Sequence, residues 1–160
     1  MPDLLWDDVK NFFDPNLMGT LPDVSIADAS VDDWQAVLDL VRSRGWACEY
    51  SEDGAVLRLP RAEKMLAWGV EASVMLRIWL VPGVLAIFRP YAADSIDFDA
   101  DLRELQGQAR LNVLCGFLRA IGRAMGKPVL FAPEIDSGHS VLGFDVEADR
   151  VVLLADPHFT

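Results

Sequence analysis

Between Val74 and Phe88 the chain reads VMLRIWLV, then Pro-Gly, then VLAIF. Proline at the second position of a turn presets φ, and glycine at the third takes the positive φ that follows, so Pro82-Gly83 reverses the chain tightly. Strand alternation places Val74, Leu76, Ile78 and Leu80 on one face and Met75, Arg77, Trp79 and Val81 on the other. Both faces are largely apolar, with Arg77 and Arg89 as the exceptions. That pattern predicts a central strand pair covered on one side by helices.

The flanking sequence supplies those helices and more strands. Leu5, Trp6, Val9, Phe12 and Phe13 suit one helical face over 4–13, and Asp14-Pro15 ends it, because the residue before proline is pushed out of the α region. Residues 16–24, NLMGTLPDV, read as a loop punctuated by Gly19 and Pro22. Ser30 is the expected N-cap of a second helix. Asp32 and Asp33 favour its positive end, Trp34, Val37, Leu38 and Val41 form its apolar stripe, and Gly45 is its left-handed stop. Trp46, Cys48 and Tyr50, the turn SEDG, and Ala55, Leu57 and Leu59 predict a hairpin closed by Pro60. Residues 61–68 predict a short helix.

A continuous apolar stripe from Leu102 to Met125 predicts one long helix. Gly107, Gly116 and Gly122 each weaken it by roughly 1 kcal/mol relative to alanine, which points to close backbone approach to a neighbour. Strands follow at 129–132, 141–144 and 151–155, the last two joined by DVEADR as turn chemistry. Hairpins interrupted by helices predict a single α+β domain over residues 1–160, not a doubly wound parallel sheet. Its sheet is mostly antiparallel and packs on the long helix and the N-terminal helices.

Composition narrows the function classes. Hydrophobic residues make up 52% of the 160 residues, enough for a core and too many for a disordered chain. No apolar run approaches the ~18–20 residues that span a bilayer, and MPDLLWDDVK lacks the basic start and apolar centre of a secretory signal, so a cytoplasmic protein is expected. Twenty-five acidic against fourteen basic residues give a formal charge of −11. Such a field repels phosphate backbones and anionic lipid heads, which disfavours nucleic acid and membrane surfaces and favours a basic protein as partner. Cys48 and Cys115 lie among apolar neighbours and are expected as buried free thiols.

The candidate chemistry is sparse. Asp94, Asp97, Asp99, Asp101 and Glu104 form the densest acidic cluster, and alternating carboxylates are ligands for Mg²⁺ or Ca²⁺. Counted from Asp97, however, the calcium-loop glycine position holds Leu102 and the bidentate acid position holds Gln108. The competing reading is that Asp99 or Asp101 caps the long helix, Asp97 faces solvent, and the others favour the helix dipole. If 96–99 is extended, Asp97 and Asp99 share a face opposite Ile96 and Phe98. His139 sits in SGHS near Glu134 and Asp136, but Ser137 and Ser140 lack a nucleophile-elbow context. His158 reads as a residue of the chain end. Neither phosphate-binding glycine motif is present. No catalytic residue, metal or cofactor is therefore expected, although a metal-dependent hydrolase using Asp97, Asp99, Glu134 or His139 is the enzymatic alternative.

The C-terminal third, FLRAIGRAMGKPVLFAPE followed by VLGFD, a charged turn and RVVLLAD, resembles small immunity proteins of bacterial polymorphic-toxin systems in element order and composition. That resemblance implies an acidic α+β domain that neutralises a toxin by binding it. The helix–hairpin–hairpin–helix order is also similar to secretion-chaperone-like domains, which implies a dimeric binder or regulatory subunit with an apolar sheet face around Met75 and Trp79. Electrostatic steering of a basic partner falls to Asp94, Asp97, Asp99, Asp101, Glu104, Glu134, Asp136 and His139. Trp6 and Trp68 are anchor candidates if exposed, whereas Trp34 and Trp46 are expected to be buried.

Overall fold

The computed structural model describes residues 1–155; His158 lies outside them. The N-terminal apolar segment coils in two steps. Helix α1 (Trp6–Val9) runs into a 3-10 turn at Lys10–Phe13, and α2 (Pro15–Met18) restarts after Asp14. Asp14 is extended at ψ 112°, as the following proline requires, and its carboxylate accepts from Asn16 N–H at 2.9 Å. Strand β1 (Asp23–Ile26) then forms within and just beyond the segment that reads as a loop.

Helix α3 (Val31–Arg44) starts and stops as its sequence dictates. Ser30 Oγ accepts from Asp33 N–H at 3.2 Å while Asp33 Oδ2 accepts from Ser30 N–H at 3.1 Å, a reciprocal capping box, and Gly45 closes the helix at φ 67°. Ser30→Ala removes one half of that box, and thermal unfolding should show a loss of about 1 kcal/mol. The hairpin β2 (Ala47–Glu52) and β3 (Ala55–Leu57) turns through Asp53 and Gly54, at φ 49° and 86°. The short helix α4 (Ala62–Leu66) leads into β4 (Val74–Val81), β5 (Val84–Phe88) and β6 (Ile96–Ala100). Helix α5 (Gln108–Met125) precedes β7 (Val129–Ala132), β8 (Leu142–Asp145) and β9 (Arg150–Leu153).

The nine strands form one antiparallel sheet in the order β3-β2-β4-β5-β6-β1-β7-β8-β9. The expected α+β class, with hairpins packed on a long helix, is the observed one. Strand β1 is the piece that alternation over longer runs does not supply: it lies between β6 and β7 and joins two sets of hairpins into one sheet. The helices cover a single face. Trp34 of α3 meets Phe88 edge-on at 6.3 Å, Phe117 of α5 meets Phe98 at 5.4 Å, and Phe13 stacks on Phe131 at 5.3 Å. Val74, Leu76, Ile78 and Leu80 are all buried there, while their alternates Met75, Arg77, Trp79 and Val81 stay half-exposed. Among the described residues no helix is long and apolar enough to cross a membrane.

Four expectations are corrected. The long helix begins at Gln108, not near Leu102, because Gly107 adopts φ 93° and Leu102–Glu104 is a separate 3-10 turn. The apolar stripe nevertheless continues through this connector, since Leu102 and Leu105 are fully buried. Asp101 caps the 3-10 turn by accepting from Arg103 N–H at 2.9 Å, and Asp99 lies in β6, so neither caps the long helix. Cys115 is buried, and burial pushes its thiol up to about 12, but Cys48 is exposed. The reason is local: the three-residue β3 pairs with Tyr50, Ser51 and Glu52 and does not reach Cys48. Trp46, expected to be buried, is only half-buried, edge-on to Phe117 at 5.0 Å, and Trp68 is 41% exposed.

The glycines of the long helix divide by environment. A Cβ at Gly122 would overlap the Phe144 ring, so α5 lies as close to β8 as a glycine allows. At Gly116 a Cβ would meet only the Arg119 guanidinium, at 3.9 Å.

Candidate functional site: an acidic row on the open sheet face

Since every strand alternates and the helices cover one face, the alternate residues form an open face. Its centre is where β6 and β1 run side by side. There Asp23 stands opposite Asp99 and Ser25 opposite Asp97, and Asp99 also faces Ile87 of β5. Directly opposed residues bring their Cβ atoms to about 4.5–5.5 Å, a spacing at which like charges destabilise the pair. Asp23, Asp97 and Asp99 thus form a compact carboxylate row, each half-buried on an extended backbone.

The electrostatics follow from that placement. Burial, and then the charges of Asp97 and Asp99, hold the Asp23 carboxyl above its ordinary value. Burial and Asp99 raise Asp97, partly offset by Arg89. Arg89 is ion-paired to Asp99 and is the one guanidinium bridging to this row among the described residues. One cation against three carboxylates leaves an excess negative charge held in partial desolvation, which a cation arriving from outside would relieve.

Apolar ground flanks the row on both sides. On β4 and β5, Met75, Trp79, Leu85 and Ile87 line the face, interrupted by Arg77, whose guanidinium holds Glu49 of β2 at 3.2 Å. Beyond β1, Leu130 and Val152 continue it across β7 and β9, with Gly143 between them. A Cβ at Gly143 would come within 2.6 Å of the Val129 carbonyl, so glycine lets Leu130 fold over the strand.

The acidic residues singled out from the sequence separate into different roles. Asp97 and Asp99 lie in the row and share a face opposite buried Ile96 and Phe98. Asp94 is exposed in the loop before β6, and its carbonyl accepts from Ala29 N–H at 3.0 Å. The Arg103 side chain donates to Asp101 at 2.7 Å and holds its carboxyl below the usual range. Glu104 accepts from Leu85 N–H at 3.1 Å, fastening the 3-10 turn to the start of β5. Glu134 Oε1 accepts from Thr20 N–H at 2.9 Å and Leu21 N–H at 3.3 Å.

Asp136 Oδ2 and His139 Nδ1 meet at 2.7 Å on the surface, and Asp136 holds the imidazole above its ordinary pKa. No hydrogen bond joins His139 to Ser137 or Ser140, so the serine–histidine arrangement of a nucleophilic site is not assembled. Among the described residues no three His, Cys, Asp or Glu side chains converge on a position for a metal ion.

Asp23 is the residue that sequence reading misses. Its signal is the four-residue alternation DVSI after Pro22, with Val24 and Ile26 buried and Asp23 and Ser25 turned to the open face. Comparison with protein-family models, with curated proteins and with solved structures finds no match to this chain.

Proposed function

We propose that this protein is a non-enzymatic, cytoplasmic protein-binding domain whose open sheet face receives a basic protein, in the manner of an immunity protein that neutralises a basic toxin. The observation that supports the reading most is the carboxylate row at Asp23, Asp97 and Asp99, set between apolar patches on a face that none of the described helices covers. A lysine or arginine of the partner would offset the excess charge there. The surrounding Trp79, Met75 and Leu85 supply the area that such contacts need to exclude water. The net charge of −11 adds long-range attraction and speeds encounter.

The test begins with the reading frame beside the gene. If it encodes a basic protein, calorimetry should show saturable 1:1 binding that weakens as salt rises from 50 to 500 mM, since exposed charges more than ~8–10 Å apart are screened at physiological salt and above. Trp79→Ala should weaken it by at least roughly 2 kcal/mol, as expected of a central aromatic anchor. Binding that ignores both salt and Trp79 would sink this reading.

The same apolar ground favours a second reading, a dimeric secretion-chaperone-like or regulatory subunit that holds a client segment against Met75 and Trp79. Light scattering separates the two: a strict monomer counts against the second.

A further inference from the structure

Apart from the open face, a cavity of about 520 Å³ opens at the end of the sheet where β7 leaves and β8 enters. Phe12, Met18 and Val141 line its wall, and Ile135 and Leu154 stand at the edge, 70% and 50% exposed. Large apolar side chains left that exposed around a concave site are the signature of a surface that gains by being covered. The volume falls within the ~300–1,000 Å³ of small-molecule sites, which are mostly apolar with a few polar groups that orient the ligand.

The cavity is held open by the main chain as well as by side chains. Glu134 Oε1 takes the N–H groups of Thr20 and Leu21, tying the end of α2 to the β7–β8 connection. The approach is so close that Gly19, at φ 82°, has no room for a Cβ beside the Glu134 carboxylate. On the other side Val141 N–H donates to the Phe131 carbonyl at 2.9 Å, and Leu154 N–H donates to the Val141 carbonyl at 2.8 Å. A preformed site costs little ordering entropy on binding.

Among the described residues three polar side chains, Asp136, His139 and Ser140, reach the lining, and they set the ligand's charge. His139 Nδ1 already engages the Asp136 carboxylate at 2.7 Å, so that carboxylate is not left bare for a ligand, and Ser140 offers a hydroxyl that both donates and accepts. An anion would meet the −11 field of the whole chain. An ammonium would be stripped of water against apolar walls without a carboxylate of its own. We propose that this cavity binds a small neutral amphipathic molecule, an alkyl or aryl body that fills the apolar wall and an alcohol or amide head that bonds to His139 and Ser140.

The test is an amide-resolved NMR titration of the full chain with 1-octanol, octanoate and octylammonium. Octanol should give saturable shifts centred on Ile135, His139, Ser140 and Leu154, and the two charged probes should bind at least roughly tenfold more weakly. His139→Ala, at an exposed position, should lower octanol affinity roughly three- to tenfold, the worth of one hydrogen bond. Ala155→Trp, which fills the cavity from its edge, should abolish the shifts while the rest of the spectrum persists. No saturation up to the solubility of octanol overturns the proposal. So does octanoate binding as well as octanol, or shifts confined to the sheet residues around Trp79. None of these results bears on whether the open face binds a protein.

Discussion

Gly122→Ala is expected to destabilise the protein by roughly 1–3 kcal/mol, the usual cost of overpacking a tight core. In an isolated helix the same change would stabilise, by roughly 1 kcal/mol. Packing reverses the sign. The Phe144 ring that a Cβ would strike is 2% exposed and belongs to β8, whose neighbours β7 and β9 hold it in register through Val129 and Val151. The ring cannot swing away without disturbing three strands, so α5 must shift instead. Gly116→Ala is the internal control. Its Cβ has ordinary space, and the substitution should stabilise by about 0.5–1 kcal/mol. Urea denaturation of both variants at equal m value measures the contrast, and a Gly122→Ala variant as stable as Gly116→Ala would show that the helix is not seated where the structure puts it.

Neutralising the acidic row should raise stability and lower partner affinity together. The Asp23 and Asp97 carboxyls both sit above their ordinary values. A carboxyl whose folded pKa is raised binds its proton more tightly in the folded state, so ionisation opposes folding. The penalty is fully present above the folded pKa and is relieved as pH falls through it towards the unfolded value. At neutral pH, Asp23→Asn and Asp97→Asn should each stabilise by roughly 0.5 kcal/mol, a figure discounted for the solvent that reaches both groups. The two gains should not simply add, because both carboxyls are pushed by Asp99. The stabilisation should shrink as the pH falls below the folded pKa values. On the proposed function, the double variant should lose roughly 10- to 100-fold in affinity for the basic partner. Differential scanning fluorimetry across pH reads the first effect and calorimetry the second. A row that is stabilised by neutralisation while binding is unchanged would assign the strain to something other than partner recognition.

The row and the cavity differ in how far sequence leads to them. Asp97 and Asp99 are visible as alternating acids between Ile96 and Phe98, and the structure places them on one face as that alternation requires. Their neighbour Asp23 is not visible, because it is 74 residues upstream of Asp97 by the numbering and pairs with Asp99 across β1 and β6. Glu134 looks like a candidate partner-binding acid, yet it is spent on the backbone of Thr20 and Leu21. Nothing in the local sequence separates a carboxylate that holds a loop from one that waits for a ligand. The difference lies in which N–H groups the fold leaves nearby.

By itself the sequence determined what depends on neighbours a few positions apart. Ser30 and Asp33 define the start of α3 and Gly45 its end; Pro82-Gly83 turns the central hairpin; alternation from Val74 to Val81 selects the buried face. These rest on backbone geometry and periodicity, which act over a turn of helix or two residues of strand. Only the tertiary structure decided that four residues after Pro22 become a strand, that Gly107 delays α5, and that Cys48 is left uncovered by a short β3. It also decided that three aspartates from two strands share one face with a single guanidinium. Each of these depends on what lies across the sheet or against the helix, and such partners are set by burial of the whole core rather than by any stretch of adjacent residues.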